Sequence, residues 1–122
     1  IKKNNLSLPE EYTCEYAYDP TKTLKTLVQF GLPVAIFAAT DLQAISLIKA
    51  ARLLKLRVPQ DVAIIGFDNI DMSDFFGLIT VHQPLDESGK IAANLLISRL
   101  TESSQPIQHI QLPLKIVERE TA

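Results

Sequence analysis

Three carboxylates, Asp68, Asp71 and Asp74, follow the apolar run Val62-Ala63-Ile64-Ile65 at three-residue spacing. Acidic residues at strand ends can hold a magnesium ion of the kind used in phosphoryl transfer. Two companions of that chemistry are missing. No glycine-rich loop is present to cradle a phosphate, and no nucleophile stands beside a general base. His82 and His109 are too far apart in the sequence to read as a metal pair, and each reads as a surface or strand histidine. An enzyme is therefore disfavoured, and no metal or cofactor is expected. Asp68 keeps a different interest. It stands at the carboxyl end of a strand, the place where open α/β sheets bind ligands. The competing role is a turn former or helix cap.

The elements that must position these residues are legible in outline. Val58-Pro59-Gln60-Asp61 is a turn, and Val62 to Ile65 reads as a central parallel strand covered on both faces. Gly66 lets backbone or ligand approach closely. Upstream, Glu11 to Tyr18 alternates like an edge strand, with Cys14 packed rather than reactive. Asp19-Pro20 opens a helix carrying Leu24, Leu27 and Val28, which Gly31 and Pro33 end. Val34 to Ala39 is a second apolar strand. Thr40 or Asp41 can cap the helix that runs from Leu42 to about Leu56. The apolar residues of that helix point almost all round its axis, so it is buried on more than one side. Either one side meets the sheet and the other a partner subunit, or its alanines merely widen an ordinary core face.

Asn69 to Gly77 reads as a loop in which Phe75-Phe76 is a tucked cluster or an interaction patch. Ile79 to Gln83 is a short strand ended by Pro84. Asp86 caps a helix from Glu87 to about Thr101. Ser103, Ser104 and Pro106 form a loop, and Ile107 to Val117 alternates as a strand, with Pro113 favouring an edge or bulge. The order β-α-β-α-β and then β-α-β gives an α/β fold with a largely parallel sheet flanked by helices.

The 122 residues suffice for one small domain. With 47% hydrophobic and 21% charged residues the chain is globular rather than disordered. A net charge of -2 argues against this piece holding DNA through phosphates. One cysteine excludes an internal disulfide and fits a reducing compartment. No apolar run approaches a membrane span, and no secretory signal is visible, although the chain starts at Ile1 rather than a methionine.

Two stretches, Ala35-Ile36-Phe37-Ala38-Ala39-Thr40-Asp41-Leu42-Gln43-Ala44 and Arg57 to Asn69, resemble the lactose/galactose repressor (LacI/GalR) family. Ile79-Thr80-Val81-His82-Gln83-Pro84, Gly89 and Val117-Glu118-Arg119-Glu120 extend the resemblance, which runs from about Leu24 to the end. It implies the C-terminal part of a periplasmic-binding-protein-like sensor domain. Residues 1–122 would be a partial effector-binding domain, without the helix-turn-helix headpiece that binds operator DNA and without most of the N-terminal lobe. The helix from Leu85 to about Thr101 would belong to that other lobe, and would repack on this chain or mediate association.

By the same resemblance the effector is a small polar molecule, a sugar first, and the site residues are Asp68, Thr40, Asp41 and Gln83. Capping its own helix competes for Asp41, and strand-end packing competes for Gln83. Ile45, Ile48, Lys49, Phe75 and Phe76 would form a homodimer face. The implied protein is a cytoplasmic repressor with no membrane contact; a transporter's sugar-binding protein is the alternative. The family usually carries Asn-Asp where Thr40-Asp41 stands, so an amide is lost from the site. It often carries Pro-Pro where Phe76-Gly77-Leu78 leads into the next strand.

Overall fold

The computed structural model describes Thr13, residues 19–101 and residues 106–122. The elements run α1 (Pro20–Val28), β1 (Val34–Phe37), α2 (Asp41–Leu53), β2 (Val62–Asp68), α3 (Met72–Phe75), β3 (Ile79–His82), α4 (Leu85–Thr101) and β4 (Lys115–Val117). They form one four-stranded sheet in the order β1-β2-β3-β4. β1, β2 and β3 are parallel, and β4 returns antiparallel beside β3. The expected α/β architecture with a largely parallel sheet is therefore present. The edge strand expected over Glu11–Tyr18, with Cys14, lies outside the described residues, as do Ser103 and Ser104.

Local chemistry sets the boundaries. Asp19 caps α1, its side chain accepting from the Lys22 amide at 3.0 Å, with Pro20 in the first turn. Thr40, not Asp41, caps α2: its Oγ1 accepts from the Gln43 amide at 3.3 Å. α2 stops at Leu53, three residues earlier than the periodicity indicates. Lys55 takes a left-handed φ of 57°, the Leu56 amide donates to Ala51 and the Lys55 amide to Arg52. These two bonds satisfy the last carbonyls of the helix.

The turn into β2 is clasped by Arg57. Its Nη2 lies 2.7 Å from Asp61 Oδ1, and its backbone amide donates to Oδ2 at 2.8 Å. These bonds hold the Asp61 carboxyl at about 2, against an ordinary 3.8. The contribution is complete above pH 3.8 and fades as pH falls towards 2; at this exposed position it is small.

The core lies between the sheet and the α1–α2 pair. It contains Leu24, Ala38, Ala44, Leu47, Ile48, Ala50, Ala51, Val62, Ile64 and Leu78. Burying side chains such as Leu24 and Ile64 contributes about 1.5–3 kcal/mol each. The small alanines of α2 let the helix lie close to β2. β2 alternates rather than being sealed on both faces: Val62, Ile64 and Gly66 are buried, while Ala63, Ile65 and Phe67 are half-buried. On that second face Phe37 is exposed and meets Phe67 edge-on, with ring centroids 6.3 Å apart. The continuous apolar run concealed this difference between faces, because a strand's period is readable only when one face is polar.

Three further departures concern the second half. Met72–Phe75 is a helical turn where a loop was expected, with the Ser73 amide donating to Ile70. Between 107 and 117 only Lys115–Val117 pairs as a strand, and residues 106–114 carry no regular structure. α4 begins at Leu85, so Asp86 lies inside the first turn rather than capping it. No residue of α4 is buried. Leu96, Ile97 and Leu100 stand open, while Ile91, Ala92 and Leu95 border a cavity of about 460 Å³ against Gln108–Leu112.

The segment after β4 stitches the sheet from behind. Where β2 and β3 have not yet paired, Thr121 sits between them. Its Oγ1 accepts from the Ile79 amide at 2.9 Å and donates to the Ile64 carbonyl at 2.7 Å. Its own carbonyl takes the Ile64 amide at 2.7 Å.

Candidate functional site

Parallel strands bring their carboxyl ends to one edge. Thr40 follows β1, Asp68 ends β2, and Gln83 follows β3. Three of the four expected effector residues thus share that edge. Asp68 and Gln83 are in direct contact, with Gln83 Nε2 donating to Asp68 Oδ1 at 2.9 Å. The other oxygen of Asp68 has no hydrogen-bond partner among the described residues. Thr40 Oγ1 accepts the capping bond from Gln43, which leaves its proton free to donate outward.

The backbone at this edge is unusual. Asp68 has φ 120° and Asn69 φ 58°. Two consecutive non-glycine residues at positive φ cost free energy, about 1–3 kcal/mol each. Such conformations persist where surrounding bonds over-determine them. Here Asn69 donates its amide to Thr80 Oγ1 at 3.3 Å, and the Ile70 amide donates to Asp41 Oδ2 at 3.0 Å.

Asp41 does not face the edge. It is fully buried behind the turn, and Ser73 Oγ at 2.6 Å and Thr80 Oγ1 at 2.5 Å donate to its carboxyl as well as Ile70 N. The expectation that it contacts an effector is corrected accordingly: its acceptors are used inside the fold. It is also not the cap of α2, a role Thr40 takes. What approaches Gly66 is this carboxyl rather than a ligand, for a Cβ built on Gly66 falls within contact of Asp41 Oδ1 and 3.1 Å from Leu78 Cδ2. Gly66→Ala should therefore lower stability by about 1–3 kcal/mol. An unchanged denaturant midpoint would mean that the Asp41 carboxyl moves aside freely.

The expected dimer-face residues separate. Ile48 is a core residue, 3% exposed, and is removed from any surface role. Ile45 and Phe76 are partly buried and pack against the same core. Lys49 is exposed, and Phe75 is 86% exposed. The Asp68, Asp71 and Asp74 series does not converge either, since Asp68 bonds Gln83 and Asp74 pairs with Arg119. Among the described residues no three acidic, histidine or cysteine side chains are placed to hold a metal.

Sequence reasoning passed over Asn69, His82 and Arg119. Asn69 Nδ2 lies 3.3 Å from His82 Nδ1, and Arg119 Nη2 donates to Asn69 Oδ1 at 3.1 Å. Asparagine tolerates left-handed φ better than most residues, so Asn69 after a strand-ending Asp was a usable signal. Arg119 had none, since its partners lie 41 to 50 residues away.

The model of the periplasmic binding protein-like domain matches residues 2–122. The chain belongs to that family. The relatives it matches include the ribose operon repressor of Escherichia coli, 34% identical over 100% of this chain and 39% of the repressor. The HTH-type transcriptional repressor PurR of Klebsiella pneumoniae is 32% identical over 99% of this chain and 37% of its own length. Among solved structures, a LacI family transcriptional regulator from Enterococcus faecium, crystallised with bound ribose, superposes with a TM-score of 0.74 at 28% identity. That match covers 84% of this chain and 38% of the regulator. The resemblance to LacI/GalR regulators is thus shared by the family's sequences and structures. This periplasmic-binding-protein-like chain spans less than two fifths of the length of these relatives.

Proposed function

We propose that this chain is the effector-sensing part of a LacI/GalR-type transcriptional repressor, binding a small sugar at the edge formed by Thr40, Asp68 and Gln83. The observation that carries the reading is Asp68. Its carboxyl sits in strained backbone at the carboxyl end of a central strand, with one oxygen that takes no hydrogen bond among the described residues. A carboxylate so placed accepts hydroxyl protons from a polyol, and Thr40 supplies a neighbouring hydroxyl. The repressors and the ribose-bound regulator among its relatives support this class of ligand and of protein over an enzyme.

On this reading α4 belongs to a second lobe that completes the cleft, which accounts for a 17-residue helix with no buried residue. Operator DNA is contacted by a headpiece outside this chain, consistent with the net charge of -2. The protein acts in the cytoplasm as a regulator; among the described residues no helix is long and apolar enough to cross a membrane. The coding DNA upstream of the Ile1 codon tests this. A helix-turn-helix followed by a lobe is expected. A signal peptide before the lobe would instead assign the protein to a transporter.

We assign the homodimer face to Phe75 and Lys49, both of which are exposed. A large apolar side chain so exposed is the kind that anchors an interface. Phe75→Glu should weaken dimerisation by about thirtyfold or more, read by sedimentation velocity across a dilution series. Undiminished dimer would remove Phe75 from the interface.

A further inference from the structure

Both residues of the strained turn are tied to the chain that leaves and re-enters this lobe. Asp68 is bonded to Gln83, and Asn69 to His82, at the exit towards α4. Arg119, two residues after β4, reaches back from the return. Its guanidinium is largely buried and makes three contacts. Nη1 donates to the Leu78 carbonyl at 2.8 Å, Nη2 to Asn69 Oδ1 at 3.1 Å, and Nε to Asp74 Oδ1 at 3.2 Å.

This set of bonds fixes more than position. A guanidinium only donates, so the Asn69 oxygen must face Arg119. The Asn69 NH₂ must then face His82, and it too only donates. His82 Nδ1 is therefore the acceptor, and the neutral ring carries its proton on Nε2. His82 in turn pairs with Asp68 across β2 and with Lys115 across β4.

We propose that Arg119 is a positioning residue for the Asp68–Asn69 turn, acting through the Asn69 amide, which it orients so that His82 is held as the Nε2–H tautomer. The proposal rests on the reading of Asp68 as an effector ligand, because the turn's conformation aims that carboxyl. Losing the guanidinium frees the amide to rotate, and the tautomer ceases to be selected. The Asn69 side chain is then held by His82 alone, and the turn that aims the Asp68 carboxyl loses one of its ties.

The test uses the protein expressed from its complete coding sequence and labelled with ¹⁵N-histidine. The His82 signals are identified by their loss in His82→Gln. Long-range ¹H–¹⁵N spectra, at a pH where the ring is neutral, should show Nε2–H in the unaltered protein. Asn69→Asp keeps the Arg119 pairing but presents a second acceptor to the ring, so His82 should switch to Nδ1–H. Arg119→Leu should give a tautomer mixture, and should weaken D-ribose binding by about five- to tenfold in calorimetry. Retention of Nε2–H in Asn69→Asp overturns the proposal even if Arg119→Leu fails to fold. Unchanged ribose affinity in a folded Arg119→Leu protein, with wild type binding ribose, also overturns it. If the unaltered protein binds no ribose, the ribose reading fails, while a tautomer mixture in a folded Arg119→Leu protein still upholds the relay and retained Nε2–H in it overturns it.

Discussion

Replacing Asp41 by alanine is expected to lower stability by about 3–5 kcal/mol, a large share of the roughly 5–15 kcal/mol typical of a folded domain. The side chain is wholly buried and takes three donors: the Ile70 amide, Ser73 Oγ and Thr80 Oγ1. Each donor left unsatisfied in the interior costs about 1–3 kcal/mol. The two hydroxyls can rotate towards other acceptors, but the Ile70 amide is fixed by the backbone and cannot. Asp41→Asn preserves the shape and one acceptor oxygen while turning an NH₂ group against a donor, so its loss should be smaller. Urea unfolding would rank the two variants. Equal midpoints for Asp41→Ala and wild type would mean that water or other acceptors satisfy the turn without the carboxyl.

The second large effect concerns ligand rather than stability. Asp68→Ala, in the protein made from its complete coding sequence, should remove the response to a sugar effector while leaving operator binding intact. The carboxyl is half-exposed, and its only hydrogen bond among the described residues is from Gln83, so little folding energy is at stake. Charge-assisted bonds from ligand hydroxyls contribute about 1.5–3 kcal/mol each. Losing two would reduce affinity by at least about a hundredfold. Calorimetric titration with D-ribose, alongside operator binding, separates the outcomes. Undiminished affinity would take Asp68 out of the site; loss of operator binding as well would mark a folding defect. Effector and operator affinities are coupled reciprocally in a two-state regulator, so at a fixed sugar concentration the operator response falls with effector occupancy.

The fold was readable where the signals were local. The Asp19-Pro20 start of α1, the apolar strands around Val34 and Val62, and a helix ending near Thr101, read from Glu87 and found to begin two residues earlier, all follow from neighbours within one turn or one strand. Asp68 was readable from its place at a strand end, whereas Thr40 and Gln83 came from the resemblance to the LacI/GalR family; the parallel sheet brings all three to one edge. What could not be read is what depends on distant partners. Asp41 looked like a ligand contact or a cap because its donors come from 29 to 39 residues away. Ile48 looked like one of several apolar residues around α2, and only the packing of α1 and β2 against that helix decides that it faces inward. A glycine at Gly66 and small hydroxyl residues at Ser73 and Thr80 were the trace left in the sequence by a buried carboxyl, and none is diagnostic alone.

The placement of Thr121 bears on how the chain is made. It bonds residues 57 and 42 positions earlier, with all of α4 threaded between. During synthesis β2 and β3 leave the ribosome well before the residue that joins their starting ends. Over that interval the Ile64 carbonyl and the Ile79 amide are open to other chains, next to a half-covered apolar sheet face. Contacts of such long separation form late. Nascent chains halted before Thr121 would therefore be the aggregation-prone species, and chaperone engagement should concentrate on them.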